Sequence, residues 1–230
     1  QFKVVVADGA GQWAVKLDAE TAGGPYVLLV KGTKTIALKD VLIGDVWLCA
    51  GQSNMQFTVS KVQNSANEIA NAKYSNIRHF KIQNAESILP VSDLPGGKWQ
   101  VCSPKTVGGF TAVGYFFARE ITKALNVPIG LINISRGGSN IEGWISMSAL
   151  EQSADFRDLV ADTRKYPIAN VSLNRDLKSL INVYPSLVFN AMVHPVVPYS
   201  IKGVLWYQGE ANIGRGYEYR RSLALLINVK

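Results

Sequence analysis

Apolar and polar positions along the chain fall into two textures that meet near residue 41. Before it, short apolar runs at residues 2–6, 12–17, 26–31 and 34–38 read as strands. Turn residues separate them: Asp8-Gly9, Gly11, Gly23-Gly24-Pro25 and Gly32-Thr33. Residues 12–17 alternate polar and apolar, the pattern of a half-exposed strand. Forty residues of antiparallel strand are too few for a sandwich, so residues 1–41 read as the end of a partial β-sandwich-like segment.

Beyond Val41, strands alternate with helices. Residues 45–50 (Asp-Val-Trp-Leu-Cys-Ala) form an apolar run of the kind buried inside a sheet. Residues 59–72 are polar with few anchors and predict a surface helix, and residues 77–82 predict an alternating strand. Residues 84–110 are rich in Pro and Gly and read as a long loop, a feature that usually serves function in a compact domain. Residues 111–125 predict a helix that buries Val113, Phe116, Phe117, Ile121, Ala124 and Leu125. A strand follows at 129–134. An irregular helical stretch covers 147–182, and a short helix 186–192. A strand at 201–207 and a helix at 217–228 complete the pattern. The order β-α-β-α-β-α implies a mostly parallel sheet covered on both faces.

Composition narrows the class. The chain has 230 residues, 47% of them hydrophobic, which is ample for a core and far from the disordered class. No uninterrupted apolar run reaches about 18 residues, so no membrane span is expected. Two cysteines, Cys49 and Cys102, are too few for a disulfide framework, and Cys49 reads as a buried free thiol. No Cys/His spacing suggests a metal site. The net charge of +7 comes from scattered Lys and Arg without a dense basic stripe, which argues against a nucleic-acid partner. A positive surface is compatible with acidic sugars.

Three expected strands end in polar, glycine-bearing turns: Gly51-Gln52-Ser53-Asn54, Ser135-Arg136-Gly137-Gly138-Ser139 and Tyr207-Gln208-Gly209-Glu210-Ala211-Asn212. In open α/β sheets ligands bind beyond the carboxyl ends of the strands, so the three turns predict one pocket. Ser53 lies where a central strand gives way to a helix. There the sheet holds it, its own N–H can meet an oxyanion, and the helix dipole favours negative charge. A serine at that place also serves as an ordinary helix N-cap, so this stretch alone leaves both roles open. As chemistry, Ser53 is the candidate nucleophile. The N–H groups of Ser53 and of Gly138 or Gly137 are candidate oxyanion donors, with the side-chain amide of Gln208 as a further one. Gln52, Asn54, Arg136, Glu210 and Asn212 are expected to bind substrate or support the site. Arg136 fits either the carboxylate of an acidic sugar or a structural pair with Glu142 or Glu210, the latter favoured. Trp144, Trp206 and Tyr207 fit sugar stacking or, more commonly, the core.

Gly51-Gln52-Ser53-Asn54-Met55 after Asp45-Val46-Trp47-Leu48 resembles the nucleophile block of the SGNH-type hydrolases and, more narrowly, of the sialate O-acetylesterase family. Trp206-Tyr207-Gln208-Gly209-Glu210, the Gly137-Gly138 pair, Ile141-Glu142-Gly143-Trp144 and Asn190-Ala191-Met192-Val193-His194-Pro195 resemble further family blocks. The resemblance runs through nearly the whole chain. It implies a three-layer SGNH (flavodoxin-like) α/β domain over residues 42–230, preceded by the partial β-domain. It assigns Ser53 as the catalytic serine, Gly137 and Gly138 as the oxyanion glycines, and Gln208 as the stand-in for the oxyanion asparagine of other SGNH hydrolases. It implies removal of O-acetyl groups from sialic acid through an acetyl-enzyme, with no metal or organic cofactor, in a secreted, periplasmic or lysosomal protein. The same motifs serve acetyl-xylan or other plant-sugar deacetylases, and a non-catalytic carbohydrate-binding fragment is the alternative of another class.

One part of the pattern is missing. The family carries its base in an Asp-x-x-His block near its C-terminus. Here neither His79 nor His194 has Asp three residues before it: position 76 is Asn and position 191 is Ala. The expectation is therefore a domain incomplete at its C-terminus, with Asp and His supplied by a missing segment or a second chain.

Overall fold

The computed structural model describes residues 1–164, 180, 182 and 184–228. The chain divides into two compact units, Gln1–Gly44 and Asp45–Lys230.

The first unit contains one antiparallel hairpin, β1 (Gly23–Lys31) with β2 (Thr35–Ile43), closed where Lys31 pairs with Thr35. The strands expected at residues 2–6 and 12–17 do not form. Asp8 makes the turn between them, its Oδ1 accepting from the backbone N–H of Ala10 and of Gln12 at 2.9 Å. The flanking segments are exposed throughout, so no buried face fixes a register for a ladder.

The second unit is built on a five-stranded sheet in the order β5-β4-β6-β3-β7. These strands are β3 (Asp45–Gly51), β4 (Tyr74–Lys81), β5 (Trp99–Cys102), β6 (Ile129–Ser135) and β7 (Gly203–Tyr207). Four are parallel, and β5 runs antiparallel on the edge beside β4. Strand β5 lies inside the stretch expected to be loop; its four residues are too short to leave a periodic signal.

Alternation along the strands sorts side chains to two faces. Cys49, Ile129 and Leu131 pack with Met55, Ile77, Phe110 and Tyr115 on one face. Ala50, Ile132 and Ile134 pack with Trp144, Val188 and Met192 on the other. The first face is covered by α3 (Ala112–Leu125). Its fully buried line is Tyr115, Ala118 and Thr122; of the expected residues, Val113, Phe116 and Ile121 pack partly buried against the same cluster, and Ala124 and Leu125 are exposed. Gly114 turns the helix this way, because a Cβ there would lie 2.8 Å from the Cys49 sulfur. The helix backbone thus rests on the sheet, a contact apolar periodicity does not register.

The expected surface helix at 59–72 is a 3₁₀ turn (Val59–Lys61) followed by α2 (Ser65–Asn71). The expected irregular stretch opens with α4 (Met147–Gln152), a 3₁₀ turn (Ala154–Phe156) and α5 (Arg157–Arg164). Most of its remainder, to residue 182, lies outside the described residues. The short helix expected at 186–192 widens into a π-helical turn, Phe189–Val193. The last described helix, α6 (Gly216–Asn228), packs Leu225 and Leu226 against a third cluster that contains Ile145, Leu150 and Phe156.

Candidate active site

Register brings the three polar turns together. Gly51 pairs with Ser135 on one side and with Tyr207 on the other, so β6, β3 and β7 end at the same level. The Ser53 turn therefore sits between the glycine turn and the 208–212 turn. Backbone bonds tie the turns at once: Gln52 N–H donates to the Tyr207 carbonyl at 3.0 Å, and Arg136 N–H to the Gly51 carbonyl at 2.9 Å. Gly51 is required at the junction. Its φ is +148°, and a Cβ would lie 2.1 Å from the Tyr207 carbonyl oxygen.

Ser53 is exposed and opens α1 (Ser53–Gln56), a single turn. One turn sums few peptide dipoles, so the expected dipole contribution reduces to the local N–H groups. Ser53 does not cap this turn; the N-cap residue is Gln52. Gln52 is buried, and its Oε1 accepts from the Gly209 and Ala211 N–H groups at 3.4 and 3.1 Å. Asn54 donates its side-chain amide to Glu210, both exposed.

The glycine turn approaches Ser53 closely. A methyl group on Gly137 would lie 4.0 Å from the Ser53 Cβ and 3.1 Å from Gln56 Oε1. The space over Gly138 is open, and its φ of +76° is one that glycine adopts without strain. Among the described residues the N–H groups of Gly137 and Gly138 have no hydrogen-bond acceptor.

Gln208 is buried, and both hydrogens of its Nε2 are donated within the protein, to the Ser139 carbonyl at 3.0 Å and to Asn212 Oδ1 at 2.8 Å. This arrangement leaves no side-chain N–H for an oxyanion, so in this conformation Gln208 braces the turns instead of filling the expected donor role. Asn212 continues the brace. Its Oδ1 accepts from Ile141 N–H at 3.0 Å, and its Nδ2 donates to Glu142 Oε2 at 3.1 Å. Glu142 is buried and is met from outside by Arg215 at 3.2 Å.

Arg136 pairs with Glu86, not with Glu142 or Glu210 as expected. Glu86 stands 50 residues earlier in the sequence, and no local pattern marks it. Glu142 belongs to Arg215 and Asn212, and Glu210 to Asn54. Trp144 and Trp206 are core side chains packed edge to face at 5.3 Å, whereas Tyr207 is exposed. Ser139 was not singled out by the sequence. Its hydroxyl donates to the Arg136 carbonyl at 2.8 Å and accepts from Trp144 Nε1 at 2.9 Å, closing the glycine turn.

Neither histidine joins Ser53. His79 is wholly buried, stacked on Phe110 at 4.4 Å. Burial, with a smaller contribution from Lys81, pushes it down to about 3. His194 bonds the Val91 carbonyl through Nδ1 at 2.8 Å. Among the described residues no side chain hydrogen-bonds the Ser53 hydroxyl, no group of three His, Cys, Asp or Glu side chains is placed to hold a metal ion, and no helix is long and apolar enough to cross a membrane.

Comparison with known proteins adds an independent line. A protein-family model described as carbohydrate esterase, sialic acid-specific acetylesterase, matches residues 43–229. Sialate O-acetylesterase of Mus musculus is 34% identical over 244 residues, a match covering 95% of this chain and 44% of the mouse protein. The Homo sapiens sialate O-acetylesterase is 34% identical over 220 residues, covering 87% of this chain and 38% of the human protein. The crystal structure of a carbohydrate acetylesterase from Xanthomonas citri superposes with a TM-score of 0.80 at 38% identity, over 96% of this chain and 46% of that one. The chain thus spans less than half the length of these relatives.

Proposed function

From a chain that belongs to the carbohydrate esterase family of sialic acid-specific acetylesterases, we propose the nucleophile and oxyanion half of a serine esterase that removes O-acetyl groups from sialic acid or a related acetylated sugar. The observation that carries this reading is the register of β3, β6 and β7, which sets an exposed Ser53 beside the open N–H groups of Gly137 and Gly138.

Ser53 Oγ attacks the acetyl carbonyl, and its proton passes to a base. The carbonyl oxygen gains charge and is met by the N–H groups of Ser53 and Gly138, with Gly137 alongside. One such donor contributes about 3–4 kcal/mol to a transition state of this type. Collapse breaks the bond to the sugar oxygen, which takes the proton from the base and leaves as a hydroxyl, and an acetyl ester remains on Ser53. Water, deprotonated by the same base, then releases acetate. Gln52, Asn54, Glu210, Asn212 and Gln208 hold the three turns at the spacing this requires. The base and its orienting acid come from outside the described residues, as Asp and His of a further segment or a second chain. The boundary between the β-hairpin unit and the esterase domain lies at Gly44–Asp45 rather than at 41–42, because β2 runs on to Ile43. A secreted, periplasmic or lysosomal setting follows for an enzyme of this substrate class. The Xanthomonas relative is named for carbohydrates in general, which supports a deacetylase of some other acetylated sugar, such as xylan, as the second reading.

The test uses the longest natural form of the protein. A fluorophosphonate label should map to Ser53, and acetate should be released from O-acetylated sialic acid faster than from acetylated xylan, with Ser53→Ala abolishing both. Faster release from xylan selects the second reading. Sugar binding with no label and no acetate would leave a carbohydrate-binding module in place of an esterase.

A further inference from the structure

The guanidinium of Arg136 is committed inside the protein. Its Nε donates to the Glu86 carboxylate, and its Nη1 donates to the Gly137 carbonyl at 3.1 Å. Arg136 and Glu86 side chains are only 15% and 7% exposed. The Arg136 backbone is fixed as well, its N–H on the Gly51 carbonyl and its own carbonyl under the Ser139 hydroxyl. Glu86 is held in turn. The following residues, Ser87 and Ile88, present their carbonyls to the Asn190 side-chain amide at 3.1 and 2.7 Å. Ser87 N–H and Val91 N–H donate to the carbonyls of Leu187 and Asn190. The segment carrying Glu86 is thereby strapped to the π-helical turn at Phe189–Val193.

Peptide geometry gives this arrangement a consequence. The Gly137 carbonyl and the Gly138 N–H belong to one planar trans peptide unit and point in opposite directions. A group that clamps the carbonyl therefore sets where the N–H points. Glycine on both sides leaves that plane free to rotate unless something holds it. We propose that Glu86 and Arg136 are positioning residues for the oxyanion donor: Glu86 fixes the guanidinium, the guanidinium fixes the Gly137 carbonyl, and the Gly138 N–H is aimed as a result. The inference rests on the reading of Gly138 as an oxyanion donor. It also separates two roles for Arg136, because a guanidinium that recognised a substrate carboxylate would matter only for acidic substrates.

The experiment compares Glu86→Gln, Glu86→Ala, Arg136→Lys and Arg136→Met in the full-length enzyme, with 4-nitrophenyl acetate as a neutral ester and O-acetylated sialic acid as an acidic one. Near-UV circular dichroism confirms folding, and Glu86→Gln preserves volume in case the alanine variant does not fold. Glu86→Ala should lower kcat about 10–100-fold on both esters, a fraction of the loss for removing a donor outright, with KM within about twofold. Glu86→Gln, which keeps an acceptor for Nε, should retain part of the rate. Arg136→Lys should not rescue, because an ammonium lacks the fork that reaches two acceptors. Affinity for methylboronic acid, which becomes tetrahedral on a nucleophilic serine, should fall by a factor similar to kcat/KM. Glu86→Ala should add little in the Arg136→Met background. Unchanged turnover of the neutral ester, or a loss confined to KM for the acidic ester, overturns the inference. A wild-type protein inactive on both esters overturns the esterase reading, and this inference falls with it.

Discussion

The acid sensitivity of the fold should be traceable to one buried imidazole. His79 lies in the middle of β4, fully covered and stacked on Phe110. Its Nε2 accepts from Thr111 N–H at 3.5 Å, which places the proton of the neutral ring on Nδ1. Protonation would remove that acceptor and place a charge among apolar side chains, with the Lys81 ammonium adding repulsion. Burial first, then Lys81, hold the folded-state value near 3 against an ordinary 6.5. The unfolded chain therefore binds the extra proton and the folded chain does not. Stability from this group is complete above about pH 6.5 and is lost progressively as pH falls below it, toward a floor near pH 3. At about 1.4 kcal/mol per pH unit, the loss is about 2 kcal/mol at pH 5 and approaches about 5 kcal/mol at the floor. A domain of ordinary stability holds about 5–15 kcal/mol in total, so the effect is measurable. The assay is guanidinium unfolding followed by tryptophan fluorescence at pH 7.5, 6 and 5, for the wild type and His79→Phe, which keeps a ring against Phe110. The wild type should lose about 2 kcal/mol more than the variant between pH 7.5 and pH 5. Parallel curves for the two proteins would refute the reasoning.

Other residues carry sharper structural costs. Gly51→Ala would drive a methyl group to 2.1 Å from the Tyr207 carbonyl oxygen and so part β3 from β7; unfolding should show a loss of about 3 kcal/mol or more, with fluorophosphonate labelling of Ser53 lost as well. Glu142→Ala leaves the Asn212 amide and the Arg215 guanidinium without their acceptor. It should cost about 2–3 kcal/mol, and Arg215→Met less, because Glu142 then keeps the Asn212 amide as its donor. Equal losses in denaturation for the two variants would contradict this. Cys49 and Cys102 are buried, and burial pushes their thiols up to about 12 and about 11. Neither should react with iodoacetamide at pH 8 in the native protein, both should react in guanidinium, and native labelling would show the core to be open.

Sequence by itself determined the elements whose signal is local and repeated. The apolar run at 45–50 became β3, packed on both faces, and the glycine-bearing turns appeared where strands end. The alternation of strand and helix gave a mostly parallel sheet, and the motif set gave the family. Each follows from side-chain periodicity or turn chemistry acting over a few residues.

Tertiary structure decided what depends on approach between distant segments. The strands expected at 2–6 and 12–17 had the right composition but no buried face to hold them in register. The buried line of α3 turned toward Tyr115, Ala118 and Thr122 because Gly114 lets the backbone rest on the Cys49 sulfur. Arg136 had three carboxylates to choose from, and proximity selected Glu86, to which no sequence pattern pointed. Gln208 read as a free amide donor until folding brought the Ser139 carbonyl and Asn212 to its two hydrogens. A hydrogen bond is satisfied by whichever partner the fold brings within about 3 Å, and that partner is fixed by strand order and register rather than by its distance along the chain.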